Sequence, residues 1–156
     1  MDLKGKKLVL VGGAGLIGSH TVDHLIKEDV KEILIYDNMV RGSRENLQNA
    51  MRDPRDKIYD VGGDIMQTDI LQSAFDGADG VFHLAALWLL QCHDYPRSAF
   101  DVNVRGTFNV MEACVAKGVK RLVYSSSASV YGDAVREPMD EDHPFNNKNF
   151  YGATKI

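Results

Sequence analysis

The sequence has few cysteines, no excess of basic residues and no long apolar run. Its two cysteines, Cys92 and Cys114, form no CxxC pair, so we expect free thiols and a reducing, cytoplasmic compartment. Acidic residues outnumber basic ones by 22 to 18. This disfavours nucleic acid and anionic membrane as partners, because both bind clustered positive charge. The longest apolar stretch, 84–90, is too short to span a bilayer, and residues 1–7 lack the apolar core of a signal peptide.

Apolar, strand-like runs alternate with helix-like segments along 156 residues, the length of one domain. This alternation predicts an α/β fold, a doubly wound parallel sheet of the Rossmann type. The strands are expected at 7–11, 33–36, 57–61, 80–85 and 121–124, and the main helices at 17–29, 69–75 and 97–117. Phe100, Val104, Phe108, Met111 and Val115 recur every three or four positions, which predicts an amphipathic helix that ends at Gly118.

A glycine-rich segment lies between the first strand and the first helix. Two registers fit it: Gly13, Gly15 and Gly18 give GxGxxG, whereas Gly12, Gly15 and Gly18 give GxxGxxG. In either register the glycines allow a tight turn, a close approach to a pyrophosphate and close helix packing. The free N–H groups of the following helix would face the anion. A tight turn without a ligand is the alternative.

Asp37 ends the second strand, 19 residues after Gly18. A carboxylate at this place accepts both ribose hydroxyls of an adenosine and repels a 2′-phosphate, which favours NAD over NADP. Arg41 and Arg44 argue in the other direction, because a nearby arginine can hold that phosphate.

The fifth strand runs into Ser125, Ser126 and Ser127, and Tyr151 and Lys155 follow 24 and 28 residues after the last of these serines. Spacing of four places Tyr151 and Lys155 on one face of a helix. A lysine there, together with an oxidised nicotinamide, would favour the phenolate and make the tyrosine a general base. A serine hydroxyl could hold the substrate oxygen beside it.

Seven motifs occur in order: Gly12-Gly-Ala-Gly-Leu-Ile-Gly-Ser-His20, Tyr36-Asp-Asn38, Gly63-Asp-Ile65, His83-Leu-Ala-Ala86, Asn103-Val-Arg-Gly-Thr107, the serine segment, and Tyr151-Gly-Ala-Thr-Lys155. In this order and spacing the chain resembles the N-terminal portion of the extended short-chain dehydrogenase/reductases, and within them the NAD-dependent nucleotide-sugar epimerases and dehydratases. The resemblance implies transient oxidation of a sugar hydroxyl by NAD, a nucleotide-sugar substrate and a possible homodimer. Family dimers are usually built from the long helix and the helix after Tyr151.

The same resemblance implies roles for individual residues. Ser127 would orient the substrate, Tyr151 would act as base, and Lys155 would be its partner and a ribose contact. Asp64 and Ile65 would flank the adenine, residues 84–86 would line the middle of the cofactor, and Asn103 would support the active site. The implied cofactor site comprises Gly12, Gly15, Leu16, Ile17, Gly18, Asp37, Asn38, Asp64, Ile65, Leu84, Ala85, Ala86, Asn103, Ser125, Tyr151 and Lys155.

Other features depart from the family pattern or are set aside. Val11 replaces a common threonine, and 87–91 is more apolar than usual near the sugar, so we expect Trp88 in an apolar wall. Cys92, His93 and His83 match no zinc spacing, and no metal site is expected. The acidic run 140–142 is expected to be a solvated loop.

The chain has about half the family's usual length. We therefore expect residues 1–156 to form a Rossmann domain that is incomplete at its C-terminal end, with the substrate domain outside the sequence. Two alternatives remain open: a non-catalytic NAD-binding module, and a dehydrogenase acting on a small alcohol or amino acid.

Overall fold

The computed structural model describes residues 2–156, which form one parallel sheet with helices on both faces. Its five strands are β1 (Lys7–Val11), β2 (Glu32–Tyr36), β3 (Asp56–Ile58), β4 (Gly80–His83) and β5 (Arg121–Tyr124). They lie in the order β3-β2-β1-β4-β5. This order confirms the predicted doubly wound sheet, in which the direction of winding reverses beside β1.

The strand register places the ends of β1, β2 and β4 at one level. Val11 pairs with Tyr36 on one side and with His83 on the other. The loops that leave these three strands therefore start next to one another. In open α/β sheets this edge, at the reversal of strand order, is where ligands bind.

The helices are short apart from two. They are α1 (Leu16–Leu25), α2 (Thr68–Ala74), α3 (Leu89–Asp94), α4 (Pro96–Ala99), α5 (Thr107–Ala116) and α6 (Phe150–Ala153), with 3₁₀ turns at Glu45–Leu47, Ala50–Arg52 and Ala128–Val130. Helix α1 stops at Leu25, short of the predicted end at residue 29. Strand β3 also stops at Ile58, three residues before its predicted end.

Each face of the sheet has its own apolar core. Alternate residues of β1 and β2 point to opposite faces, as strand geometry requires. One core joins Val9, Val11 and Leu34 to α2 and α5. The other joins Leu8, Leu10 and Ile33 to α1 and the turns at 45–52.

The predicted long helix exists, but its periodic apolar stripe does not face the sheet. Residues Phe100–Gly106 form a π-helical segment between α4 and α5. The buried positions are Asn103, Gly106, Val110, Ala113 and Cys114. All five stripe residues are exposed, from 38% at Val104 to 83% at Val115. At Gly106 the lack of a side chain lets the helix pack directly against the side chain of Ile65.

Residues 132–149 contain no helix or strand, as predicted. The acidic run 140–142 is exposed there, whereas the adjacent His143 is only 2% exposed. Its Nε2 accepts the N–H of Val135 at 3.0 Å, and its ring packs edge-on against Tyr131. The surface segment is therefore organised around one buried imidazole. Among residues 2–156, no helix is both long and apolar enough to cross a bilayer.

Candidate active site

The structure distinguishes the two registers of the glycine loop. Gly12 has φ +82°, and a Cβ there would lie 2.6 Å from the backbone nitrogen of Ala85. A Cβ on Gly18 would overlap the carbonyl oxygen of Gly12, whereas one on Gly15 would meet nothing closer than 3.5 Å. Gly12 and Gly18 are therefore demanded by the fold, and Gly15 leaves open space beside the loop. Gly13 is less constrained than Gly12, since a Cβ there would lie 3.0 Å from Leu10 and its φ is not positive. The pattern therefore favours the GxxGxxG register.

Helix α1 begins without a side-chain cap. Its N-cap residue is Gly15, and its first turn contains no acidic residue. Leu16 and Ile17, predicted to lie at the cofactor, are 73% and 63% exposed. Apolar side chains cannot accept hydrogen bonds from the backbone, so the first N–H groups of the helix remain available to an anion.

Asp37 ties the end of β2 to the glycine loop. Its Oδ2 accepts the N–H of Ala14 at 2.9 Å, and its Oδ1 accepts the N–H of Met39 at 2.8 Å. A Cβ on Gly63 would overlap the backbone of Asp37, so the Gly63-Asp-Ile65 motif lies directly behind Asp37 and Asn38. The ends of β2 and β3 and the glycine loop thus form one cluster.

Asp64 and Ile65 are held from two sides. The Tyr36 hydroxyl donates to the carbonyl of Asp64 at 2.8 Å, and the Asn109 amide donates to the carbonyl of Ile65 at 2.9 Å. The Ile65 side chain is 3% exposed because it packs on Gly106. Its contact with α5 fixes this motif beneath the site.

The segment after β4 lies beside the glycine loop. The N–H groups of Leu84 and Ala85 both donate to the carbonyl of Val11. His83, fully buried just before them, has its Nε2 2.8 Å from the Thr107 hydroxyl. Burial lowers the pKa of His83 to about 4, with a smaller contribution from the charge of Lys155. The imidazole is consequently neutral at physiological pH.

Asn103 is 2% exposed, and its side-chain amide forms hydrogen bonds with other groups of the protein. Its amide exchanges two hydrogen bonds with the backbone of Leu87, and its Nδ2 also lies 3.1 Å from the hydroxyl of Thr154. One side chain of the π-helical segment therefore links the loop after β4 to the end of α6. This is a positioning arrangement, since the amide has no free donor facing the cleft.

The turn that follows Ser127 and the helix that carries Tyr151 pack on each other. The Ser127 hydroxyl accepts the N–H of Ser129 at 3.2 Å and caps the turn 128–130. The Asn149 side chain caps α6 by accepting the N–H of Gly152 at 2.7 Å. A Cβ on Gly152 would lie 2.5 Å from the carbonyl of Ser129. Because residue 152 has no side chain, helix α6 can pack closely on the turn 128–130.

Lys155 is 4% exposed and lies under this turn. Its Nζ is 4.3 Å from the ring centre of Tyr124, and its backbone carbonyl accepts the Ser126 hydroxyl at 2.7 Å. Burial lowers the pKa of Lys155 to about 8. Burial also raises the pKa of Tyr124. The lysine is still charged at neutral pH, close to the end of β5.

A cavity of about 400 Å³ opens beside Tyr151, and its lining residues are Leu89, Leu90, His93, Lys148, Asn149, Phe150 and Tyr151. The apolar wall predicted around 87–91 is thus formed by α3. Trp88 itself is 43% exposed and stacks on Arg41 outside this cavity. No group of three or more His, Cys, Asp and Glu side chains with metal-site geometry occurs in the described part of the chain.

Three contacts that support the candidate site were not predicted from the sequence. These are the capping of α6 by Asn149, the packing of Gly63 on Asp37, and the stacking of Lys155 on Tyr124. The Asn at the start of α6 is a recognisable capping signal. The other two depend on long-range contacts, which local patterns do not encode.

Comparison with known proteins confirms the resemblance seen in the motifs. Residues 9–155 match the 3-beta hydroxysteroid dehydrogenase/isomerase family. The chain is 37% identical over 153 residues to the UDP-glucose 4-epimerase of Lactobacillus helveticus, covering 96% of this chain and 44% of that protein. The chain therefore spans less than half the length of this curated relative.

Solved structures of two related enzymes have the same fold. A UDP-N-acetylglucosamine 4-epimerase from Methanobrevibacter ruminantium superposes with a TM-score of 0.87 at 35% identity, covering 97% of this chain and 47% of that one. A dTDP-glucose 4,6-dehydratase from Streptomyces venezuelae, solved with NAD bound, gives 0.88 at 31% identity, covering 96% and 48%.

Proposed function

The chain belongs to the 3-beta hydroxysteroid dehydrogenase/isomerase family, and from that membership we propose that it is the NAD-binding half of a nucleotide-sugar epimerase or dehydratase. The observation that carries the proposal is the glycine loop, which lies at the same edge of the sheet as the segments that contain Ser127, Tyr151 and Lys155. Gly12 and Gly18 hold the loop against Ala85 and the start of α1, and Gly15 leaves its outer side open.

The residues present fit a dinucleotide. The uncapped N-terminus of α1 offers N–H groups to a pyrophosphate. Each Asp37 oxygen accepts one backbone N–H and keeps capacity for another donor. Ribose hydroxyls would supply these donors, whereas the 2′-phosphate of NADP would meet a negative charge. We therefore propose NAD as the cofactor.

The chemistry follows from three side chains. Bound NAD would supply a reversible hydride acceptor for the sugar carbon. The Tyr151 phenolate takes the proton of the sugar hydroxyl, and the Lys155 ammonium favours the phenolate. The Ser127 oxygen already accepts the N–H of Ser129, so its O–H remains free to donate to the substrate oxygen. Asn103 positions the loop and helix that surround them.

A second candidate is net oxidation of an apolar alcohol. Two observations favour it: the matched family is named for hydroxysteroid dehydrogenases, and Leu89 and Leu90 line the cavity beside Tyr151. The two candidates differ in their products. Oxidation of an alcohol accumulates NADH, whereas epimerisation regenerates NAD in each cycle.

We also propose that the exposed apolar stripe of Phe100, Val104, Phe108, Met111 and Val115 is where two copies of the chain associate. Five exposed apolar side chains on one helix form a patch that soluble monomers rarely carry. Sedimentation of the protein and of a Phe108→Glu variant tests this. A monomeric wild type, or a variant as dimeric as the wild type, would refute it.

The cofactor proposal is tested by calorimetric titration of the 156-residue chain with NAD. We expect weak binding and no turnover of nucleotide sugars, because the relatives are about twice as long. No heat at millimolar NAD would refute the binding. Epimerisation by this chain alone would refute the proposal that it is only the NAD-binding half of the enzyme.

The catalytic assignment is tested in the longest reading frame that contains these residues, screened against UDP-, dTDP- and GDP-sugars. Tyr151→Phe removes the proton acceptor, so turnover should fall by about 10²–10⁴-fold while NAD binding stays unchanged. Normal turnover in this variant would contradict the assigned role.

A further inference from the structure

The side chains of Arg41 and Trp88 meet across the end of β1. Arg41 lies in the segment that follows β2, and Trp88 lies in the segment that follows β4. Strand β1 lies between these two strands. The guanidinium carbon of Arg41 is 4.7 Å from the centre of the indole ring. Their contact therefore bridges the two sides of the glycine loop.

Both side chains project from backbone that is fixed one residue away. Beside Arg41, a Cβ on Gly42 would lie 2.7 Å from the Cβ of Ala14, so this segment packs on the glycine loop. Beside Trp88, the backbone of Leu87 is held by two hydrogen bonds with the side chain of Asn103. The fold thus fixes the backbone from which each of the two side chains projects.

The N–H donors of the Arg41 guanidinium are unused. Within residues 2–156 the guanidinium forms no hydrogen bond and no ion pair with a protein group, and it lies against the indole of Trp88. An arginine held against an aromatic ring with its donors unused is suited to phosphate recognition. The glycine loop, on which the adjacent Gly42 packs, is the one whose helix N-terminus would attract an anion.

We propose that Trp88 holds Arg41 over the glycine loop so that the guanidinium donates hydrogen bonds to the pyrophosphate of the bound dinucleotide. Arg41 is then a cofactor ligand, and Trp88 is a positioning residue. The inference rests on the proposed NAD binding. A cation–π contact between exposed side chains is weak, so it can open to admit the cofactor and close again.

The test compares NAD affinities of the 156-residue chain by calorimetry. Arg41→Gln should weaken NAD binding about tenfold, because hydrogen bonds to charged groups contribute more than neutral ones. Trp88→Leu should weaken it less, and Trp88→Phe should restore most of the loss. The double variant Arg41→Gln with Trp88→Leu should bind no more weakly than Arg41→Gln alone. Arg44→Gln, an exposed arginine of the same segment, is the matched control and should bind as the wild type does.

A second readout does not depend on affinity. Trp88 is the only tryptophan in the sequence, so a change in its fluorescence on addition of NAD reports on this contact. Equal NAD affinity of Arg41→Gln and wild type, equal losses in Arg44→Gln and Arg41→Gln, or additive losses in the double variant would each overturn the inference while leaving the NAD proposal intact. Failure of the wild type to bind NAD would overturn both.

Discussion

Asn103 holds the backbone of Leu87 by both of its polar groups. The Asn103 Oδ1 accepts the N–H of Leu87 at 2.7 Å, and its Nδ2 donates to the Leu87 carbonyl at 3.0 Å. A buried side chain thereby replaces the neighbouring strand that Leu87 lacks. These two hydrogen bonds fix the loop that follows β4 close to where it passes the glycine loop.

Replacing Asn103 by alanine should destabilise the protein and loosen this loop. The change leaves two backbone groups of Leu87 without partners, at a cost of about 1–3 kcal/mol for each group that stays buried. Urea unfolding gives the loss, and calorimetry should show weaker NAD binding. Asn109→Ala, which removes a single bond to Ile65 from the same helix, is the control and should cost less. Equal losses in the two variants would contradict the role of Asn103.

Gly15 and Gly18 should respond in opposite ways to the same substitution. Gly15→Ala adds a methyl group whose nearest protein neighbour is 3.5 Å away, so stability should be preserved while NAD binding is lost. Gly18→Ala forces the methyl group into the loop backbone, and overpacking of this kind costs about 1–3 kcal/mol. Thermal unfolding and NAD titration of both variants provide the comparison. A large loss of stability in Gly15→Ala would show that its role is structural.

Replacing Lys155 by methionine should stabilise the fold. Because the pKa of Lys155 is lowered from 10.5 to about 8, the folded state binds fewer protons than the unfolded state between these values. The free-energy cost of burying the charged lysine is fully present below pH 8 and disappears above about pH 10.5. The melting temperature of Lys155→Met should therefore exceed that of the wild type most at pH 7. An increase that persists unchanged at pH 11 would exclude this cause.

Asp56 is a buried carboxyl with no functional partner. It is 5% exposed, and neither of its side-chain oxygens has a hydrogen-bond partner among residues 2–156. Burial raises the pKa of Asp56 to about 7, and the nearby charge of Asp53 acts in the same direction. The folded state therefore holds a proton that the unfolded state has already released above pH 4.

Asp56→Asn should raise the melting temperature at pH 8 and leave it unchanged near pH 4. Wild-type stability falls as pH rises from about 4 to about 7, because the folded state binds more protons in this interval. The neutral amide removes this dependence without changing the size of the side chain. Asp60→Asn, at an exposed position just beyond the same strand, should have no such effect. A gain at pH 4 equal to that at pH 8 would point to packing instead.

β1 and β2 were predictable from the sequence because they are short apolar runs that are buried on both faces. β5 was predicted although its side chains are partly or fully exposed, and β4 ends two residues before its predicted end. β1 and β5 have the predicted bounds, and β2 differs by one residue. The orientation of the long helix was not predictable in the same way. A period of three or four residues shows that a helix has an apolar face, but Phe100 and Phe108 lie on the face that points away from this sheet.

The part of the candidate site that depends on local sequence spacing was predictable. The spacing of the glycines is a local property, and the positive φ of Gly12 agrees with it. The helix expected to carry both Tyr151 and Lys155 ends at Ala153, so Lys155 lies beyond it. The partners that a polar side chain finds at long range are not local. Nothing in the sequence around Asn103 indicates that it bonds to Thr154, 51 residues later.

The two oxygen atoms of Asp37 that accept backbone N–H groups are also those proposed to bind the ribose. The hydrogen bond from Ala14 fixes the glycine loop, and the remaining lone pairs are those proposed to select an unphosphorylated ribose. Exchange of this carboxylate for a side chain without a hydrogen-bond acceptor would remove the repulsion of a 2′-phosphate and an anchor of the glycine loop in one step. Under the proposed preference for NAD, a change toward NADP that preserves the loop is therefore expected to use a neutral side chain that still accepts a hydrogen bond.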